Sequence, residues 1–270
     1  MNKKINAMYF SATDTTKKIV TGLAKNISYK FDKKIHKEIN FTLPKIRKKS
    51  IIFTEEDIVV IGVPVYAGRV PNVLLRYLNS IKGNNSLAIP IVVYGNRNYD
   101  DALIELKDIL KLNGFNIPGA GAFIGEHSFS KKLAKDRPDE KDMAIVNDFS
   151  NKIYKKISEN KIKRVIVKGN RPYRKYYMPK NEKGNPVDIR KVTPKLNNNC
   201  IDCKQCVDLC PMGSIYFKDV SKLNYICIKC GACIKKCPTN ARYYDDKDYL
   251  KHKYELELEF KERKEPDIFI

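Results

Sequence analysis

Asp57-Ile-Val-Val-Ile-Gly-Val63 runs apolar and largely β-branched, without the alternation of a half-buried strand. A strand written this way is covered on both faces, which means a parallel sheet with helices above and below it. Ala88-Ile-Pro-Ile-Val-Val-Tyr94 repeats the pattern, Ile5 to Phe10 precedes it, and a last strand is expected within Phe115 to Ile124. Helical spacing lies between and after these strands: Asn72 to Ile81, Asp100 to Leu112 ending at Gly114, and Asp139 to Ile157 opening beside Pro138. Counted as βα units, with Asp57–Val63 third and Ala88–Tyr94 fourth, they make a doubly wound α/β fold of five parallel strands in about 160 residues.

All eight cysteines fall further on, in two runs of one pattern: Cys200-Ile-Asp-Cys203-Lys-Gln-Cys206-Val-Asp-Leu-Cys210-Pro211 and Cys227-Ile-Lys-Cys230-Gly-Ala-Cys233-Ile-Lys-Lys-Cys237-Pro238. This C-x2-C-x2-C-x3-C-P spacing holds [4Fe–4S] clusters in bacterial ferredoxins. Three cysteines on a tight loop cap three irons of a cubane, and the fourth must come from elsewhere. Zinc sites use cysteine pairs separated by a longer spacer, and a disulfide framework fits worse still. Thiols that feed clusters imply a reducing compartment. Resemblance to two-cluster ferredoxins, in which the fourth cysteine of each run serves the other cluster, implies Cys200, Cys203, Cys206 and Cys237 for one cluster and Cys227, Cys230, Cys233 and Cys210 for its mate.

In doubly wound sheets ligands sit at the carboxyl ends of the strands, so the loops after strands one, three and four matter most. The first, Ser11-Ala-Thr13-Asp14-Thr15-Thr16, gathers hydroxyls at a helix N-terminus, an arrangement suited to a phosphate monoester. The second is Pro64-Val65-Tyr66-Ala67-Gly68-Arg69-Val-Pro71 and the third Tyr94-Gly95-Asn96-Arg97-Asn98-Tyr99-Asp100. Each carries a tyrosine where core packing does not require one.

Together the loops resemble the three FMN-binding loops of flavodoxins. The resemblance implies that Ser11, Thr13, Thr15 and Thr16 hold the phosphate, that Tyr66 and Tyr99 stack on the two flavin faces, and that Pro64, Val65, Ala67, Gly68, Gly95, Asn96 and Arg97 complete the cradle. Asp14 stands where flavodoxins carry glycine. Aspartate tolerates left-handed backbone angles and caps helices, but its carboxylate is unfavourable beside a dianionic phosphate unless turned outward. Lys204 likewise replaces the glycine that follows the second cysteine of a run, which Gly231 supplies in the other run, so the two clusters are expected to be inequivalent.

As a whole the chain resembles the clostridial flavodoxin–ferredoxin fusion proteins of the EFR ferredoxin type. That resemblance implies FMN and two [4Fe–4S] clusters in one electron-transfer protein of an anaerobe. The expected division is 1–164 for the flavodoxin-like domain, 165–195 for a basic aromatic connector, 196–245 for a small α+β two-cluster ferredoxin domain, and 246–270 for a helical tail packed over it. The connector, with Arg171-Pro-Tyr-Arg-Lys-Tyr-Tyr-Met-Pro179 at its centre, is read as an ordered segment lying against a domain, because its aromatics need burial.

The formal net charge of +21 suits acidic redox partners, such as another ferredoxin, a flavodoxin or an oxidoreductase, better than nucleic acid, since no helix-turn-helix or RNA-binding signature accompanies it. The apolar start is broken at Ser11 and Asp14, which predicts no signal peptide, and no segment approaches the roughly 20 apolar residues of a membrane span. A cytoplasmic protein is expected. His36 and His252 sit in lysine-rich stretches. His127, after the last strand, is read as a loop histidine within reach of the sheet's carboxyl edge. Gly119-Ala-Gly121-Ala-Phe-Ile-Gly125 lacks the spacing and position of a dinucleotide loop. These features favour an electron carrier without acid–base residues over a second possibility, an FMN-dependent reductase of a small molecule fed by the clusters.

Overall fold

The structure, a computed structural model, describes residues 3–270. Strands β1 (Lys4–Tyr9), β2 (Lys37–Asn40), β3 (Asp57–Pro64), β4 (Leu87–Tyr94) and β5 (Ala120–Ile124) form a parallel sheet in the order β2-β1-β3-β4-β5. This is the flavodoxin-like strand order, with its switch point between β1 and β3. Helices α1 (Thr15–Lys30), α2 (Asn72–Ser80), α3 (Ala102–Leu112) and α4 (Glu140–Ser158) connect and cover it. The continuous apolar run of β3 divides residue by residue. Ile58 and Val60 join a core with Ile19, Leu23 and Phe149 of α1 and α4, while Val59, Ile61 and Val63 join the opposite one with Leu74, Leu78 and Leu106 of α2 and α3.

The second strand carries no such signal. Lys37-Glu-Ile-Asn40 lies on the sheet edge, largely exposed, and is a strand only because it pairs with β1. A sixth strand comes from the end of the chain: β8 (Asp267–Phe269) pairs antiparallel with β5. The expected helical tail is thus a helix, α7 (Lys247–Glu259), followed by a strap that returns to the sheet. The strap is held at several points. Asn96 Nδ2 donates to the Phe260 and Glu262 carbonyls at 2.6 and 2.8 Å, Arg137 Nη1 to the Lys264 carbonyl at 2.6 Å, and Tyr99 Oη to Asp267 at 2.7 Å.

The cysteine-bearing part is small. It contains the two short helices α5 (Gln205–Asp208) and α6 (Ala232–Lys235) and a two-stranded ribbon of β6 (Lys195–Leu196) and β7 (Arg242–Tyr243). Its two cysteine runs have the same backbone. Asp202 and Lys204 take φ of 52° and 60°, and the matching Lys229 and Gly231 take 54° and 75°. Cys210 and Cys237 each accept a hydrogen bond from the amide four residues later, of Ser214 and Ala241, both at 3.3 Å.

The connector lies along the α2–α3 face. Arg171 makes a two-point contact with Asp108 at 2.6 and 2.7 Å, and Tyr173 Oη donates to the same carboxylate at 2.8 Å. The Arg69 guanidinium sits over the Tyr173 and Tyr176 rings at 4.8 and 5.0 Å while gripping Glu105 through two bonds of 2.7 Å. These contacts partly bury Arg69, Tyr173 and Tyr176, while Arg171 stays about half exposed.

Two substitutions test these features. Lys204 holds a left-handed conformation that costs an ordinary side chain about 1–2 kcal/mol, partly offset in the unfolded chain. Lys204→Gly should therefore stabilise the cluster-loaded protein by about 0.5–1 kcal/mol, seen as a higher midpoint of anaerobic thermal unfolding. Asp142, fully buried at the start of α4, is paired with the equally buried Arg137. Arg137→Met removes the two-point partner of that carboxylate, leaving it Arg263 at 3.7 Å and the Asp139 amide at 2.9 Å, and should cost about 3 kcal/mol, with the strap's protection from amide exchange around Lys264 lost as well.

Candidate functional site

The eight cysteines line two adjacent cavities. Cys200, Cys203, Cys206 and Cys237 line one, and Cys210, Cys227, Cys230 and Cys233 line the other, with Cys233 also reaching the first. Each cavity thus gathers three cysteines of one run and the fourth of the other, the crossed arrangement of a two-cluster ferredoxin. Among the described residues no three ligating side chains converge on a point that would hold a single metal ion. The donor set fits a pair of cubanes: at least four soft sulfurs around each cavity, with amides bonded to the fourth sulfur of each run.

The two sites differ in surroundings. Cys203 is exposed, and Ile201 beside it is 65% exposed. Lys204 Nζ, 2.7 Å from Asp202, lies over the ring of Phe217, itself largely exposed. The second site is buried on its Cys230 side, though Ile226 on its other side is 65% exposed. Burial pushes the Cys230 thiol up to about 12, and raises Cys233 as well, so thiolates exist there only where a cation compensates. Tyr244 Oη is 3.8 Å from Cys227 Sγ, and the Tyr244 ring packs on Tyr249 at 4.2 Å.

The inward face meets the carboxyl edge of the sheet. A slot there is lined by Thr13, Thr15 and Thr16 after β1, by Pro64, Val65 and Tyr66 after β3, by Tyr94 and Gly95 after β4, and by Glu126, His127 and Ser128 after β5. Its last wall is Cys230. Tyr66, between the slot and the second cluster site, has its hydroxyl pushed well above its ordinary value by burial, with the Cys230 and Cys227 sulfurs adding to the shift. His127 Nδ1 accepts the Phe129 amide at 3.1 Å, which places the proton of the neutral ring on Nε2. Burial, with Lys235 nearby, drives this imidazole down to about 3, so it is neutral at physiological pH and offers a hydrogen bond rather than an ionised acid. Gly95 is required beneath it, because a Cβ there would stand 2.3 Å from the ring.

The loop after β1 has open donors. Asp14 occupies the N-cap of α1 in the left-handed region, φ 67°, yet its side chain caps nothing and pairs instead with Lys236 Nζ at 2.7 Å. Thr16 is 1% exposed, and among the described residues the hydroxyls of Thr13, Thr15 and Thr16 find no hydrogen-bond partner. Ser11 is committed: its Oγ accepts the Lys17 amide at 3.0 Å. Unfilled hydroxyls around a helix N-terminus fit a phosphate monoester.

Of the residues the flavodoxin resemblance proposes, Thr13, Thr15, Thr16, Pro64, Val65, Tyr66 and Gly95 come together at this slot. The others do not. Tyr99 is 6% exposed, packed on Tyr94 at 5.5 Å and bonded to Asp267, so its ring belongs to the core rather than to a flavin face. Asn96 holds the strap, and Arg97 pairs with Asp100 under the Tyr177 ring. Ala67 and Gly68 form the turn between Tyr66 and Arg69, where Gly68 backs onto Asp100. The strap displaces this loop from its expected role, and nothing local in the sequence announces it. Lys235, Lys236 and Cys230, which enter from the second part of the chain, were also beyond local reading.

Residues 144–250 match a protein-family model described as a 4Fe-4S dicluster domain. No curated protein sequence matches the chain. Among solved structures it is similar to a flavodoxin from the domain Archaea, at 13% identity over 57% of this chain and 99% of that one, with a TM-score of 0.41. A rubredoxin:oxygen oxidoreductase from the anaerobe Desulfovibrio gigas gives 17% identity over 60% of this chain and 38% of the other, TM-score 0.41. A flavodoxin of Streptococcus pneumoniae TIGR4 gives 14% identity over 56% and 97%, TM-score 0.38. The strand order and the two cysteine cavities together make this a flavodoxin-like sheet joined to a ferredoxin-type two-cluster domain.

Proposed function

We propose that the chain is an electron carrier of the flavodoxin–ferredoxin fusion (EFR) type, relaying electrons between FMN at the sheet edge, the two [4Fe–4S] clusters and external redox proteins. The observation that carries this reading is Cys230, which lines both the second cluster cavity and the slot at the ends of β1, β3, β4 and β5. A flavin takes or gives one or two electrons, and clusters pass them singly.

The residues then have separable tasks. Thr13, Thr15, Thr16 and the first amides of α1 receive the phosphate. Tyr66, Gly95 and His127 shape the slot, with the His127 Nε2–H as its neutral donor. The slot encloses only about 60 Å³, so a planar ring enters it by parting these side chains. Cys227, Cys230, Cys233 and Cys210 hold the cluster next to it. Cys200, Cys203, Cys206 and Cys237 hold the outer cluster, where exposed Ile201 and Phe217 among lysines offer a contact face for an acidic partner.

The alternative, an FMN-dependent reductase of a small molecule, needs an open flavin face. The Cys230 loop and the 126–128 segment wall the slot, which favours the carrier. Among the described residues no helix is long and apolar enough to cross a membrane.

Protein isolated without oxygen should contain about eight irons per chain, and Cys206→Ser should lower this to about half while slowing exchange with external ferredoxins. Two zinc ions and no iron would sink the reading. Exchange with an acidic ferredoxin should slow as salt rises, since the Debye length falls to roughly 10 Å at 0.1 M. Rapid, salt-independent NADH turnover by the purified protein would favour the reductase instead.

A further inference from the structure

Beside the slot lies a wider cleft of about 380 Å³ walled by both parts of the chain. Thr13, Asp14, Thr15 and Lys18 come from the first loop and α1, Glu126, Asp136 and Arg137 from the segment after β5, and Lys235 and Lys236 from the end of α6 and the residue after it. The two cluster-domain lysines are not equivalent. Lys235 is fully used: its ammonium donates to the Glu126 carboxylate and to the carbonyls of His127 and Ser130 at 2.7 and 3.0 Å. Lys236 has one partner, Asp14 at 2.7 Å, and that carboxylate is 60% exposed. Lys18 donates to the Pro138 carbonyl at 2.7 Å and has two donors left.

Asp14 is the informative residue. An aspartate at an N-cap ordinarily turns back to satisfy the helix amides. Here it turns away to Lys236, and with Ser11 Oγ taking the Lys17 amide, the Thr15 and Thr16 amides stay open among the described residues beside Thr16, a residue only 1% exposed whose hydroxyl makes no hydrogen bond there. A carboxylate that parks a lysine at the mouth of an anion site is what a phosphate would displace.

We propose that Lys236, assisted by Lys18, binds the phosphate of FMN across the boundary between the two parts of the chain, with Asp14 holding the ammonium in place until phosphate competes for it. The proposal rests on the flavin reading above. Lys236 lies between Cys233 and Cys237, one a ligand of each cluster site, so the segment that presents the phosphate ligand is ordered by the clusters. Flavin affinity and cluster integrity are then thermodynamically linked, each raising the other.

The test uses anaerobically loaded protein, its iron content measured for every variant, titrated with FMN and with riboflavin by fluorescence quenching. Lys236→Met should weaken FMN about tenfold, the effect of losing a charge-assisted hydrogen bond, and leave riboflavin unchanged, while Lys236→Arg keeps FMN affinity. Asp14→Asn touches no cysteine and suits the left-handed turn; it should tighten FMN several-fold and leave riboflavin unchanged. Should Lys236→Met lose iron, Asp14→Asn and Lys18→Met, which should weaken FMN alone, decide the matter. Wild-type protein that binds FMN with an affinity indifferent to these substitutions, or shifts in which riboflavin follows FMN, would overturn the phosphate assignment while sparing the flavin site. Wild-type protein that binds neither flavin overturns both.

Discussion

The close approach of the second cysteine loop to the carboxyl edge of the sheet governs the rest of this structure. It depends on Gly231, whose left-handed backbone passes so near the Ser128 carbonyl that a Cβ would stand 2.5 Å from its oxygen. Lys235 fixes the same contact from the other end of α6 by filling a cage of one carboxylate and two carbonyls. An ammonium this desolvated is sustained only by such a complete set of acceptors. With both in place, Cys230 and Ala232 become part of the core that contains Phe10 and Leu103, and a cluster site is brought to the mouth of the slot.

The asymmetry between the two cysteine runs follows from that docking. Their loops share backbone angles at matching positions, yet one is pressed against the sheet and the other faces outward. The inward run must carry glycine because Gly231 meets the Ser128 carbonyl, whereas the outward run carries Lys204, whose ammonium is held by Asp202 over the Phe217 ring. Hydrogen bonding and exposure tune cluster potentials, so the two sites differ in surroundings without any difference in ligand chemistry.

The strap imposes a second constraint. By adding β8 to β5 it covers what would have been a bare sheet edge, and by binding Asn96, Tyr99 and Arg137 it fixes the loop after β4 from behind. Part of the positive charge is paired along the connector: Arg69, largely buried, meets Glu105, and the half-exposed Arg171 and Arg174 meet Asp108 and Asp100.

The strongest sequence signals were those set by short-range physics. Short, continuous, β-branched runs favour strands covered on both faces, so β3 and β4 and the doubly wound class were legible from Asp57–Val63 and Ala88–Tyr94. Ligand spacing on a tight loop is equally local, so the cysteine runs announced two cubanes. The hydroxyls of Thr13, Thr15 and Thr16 could be read because a helix start follows them at once. Other features depended on residues distant in the chain. Edge strand β2 has no apolar pattern of its own, and β8 exists only because β5 offers an unpaired edge. Tyr99 looked like a stacking aromatic until Asp267, far along the chain, took its hydroxyl. Asp14 looked like a liability beside a phosphate until tertiary packing set Lys236 against it. Residue type and spacing determined which chemistry the chain can perform; the pairing of distant charges and edges, which no local pattern encodes, decided which of those residues face it.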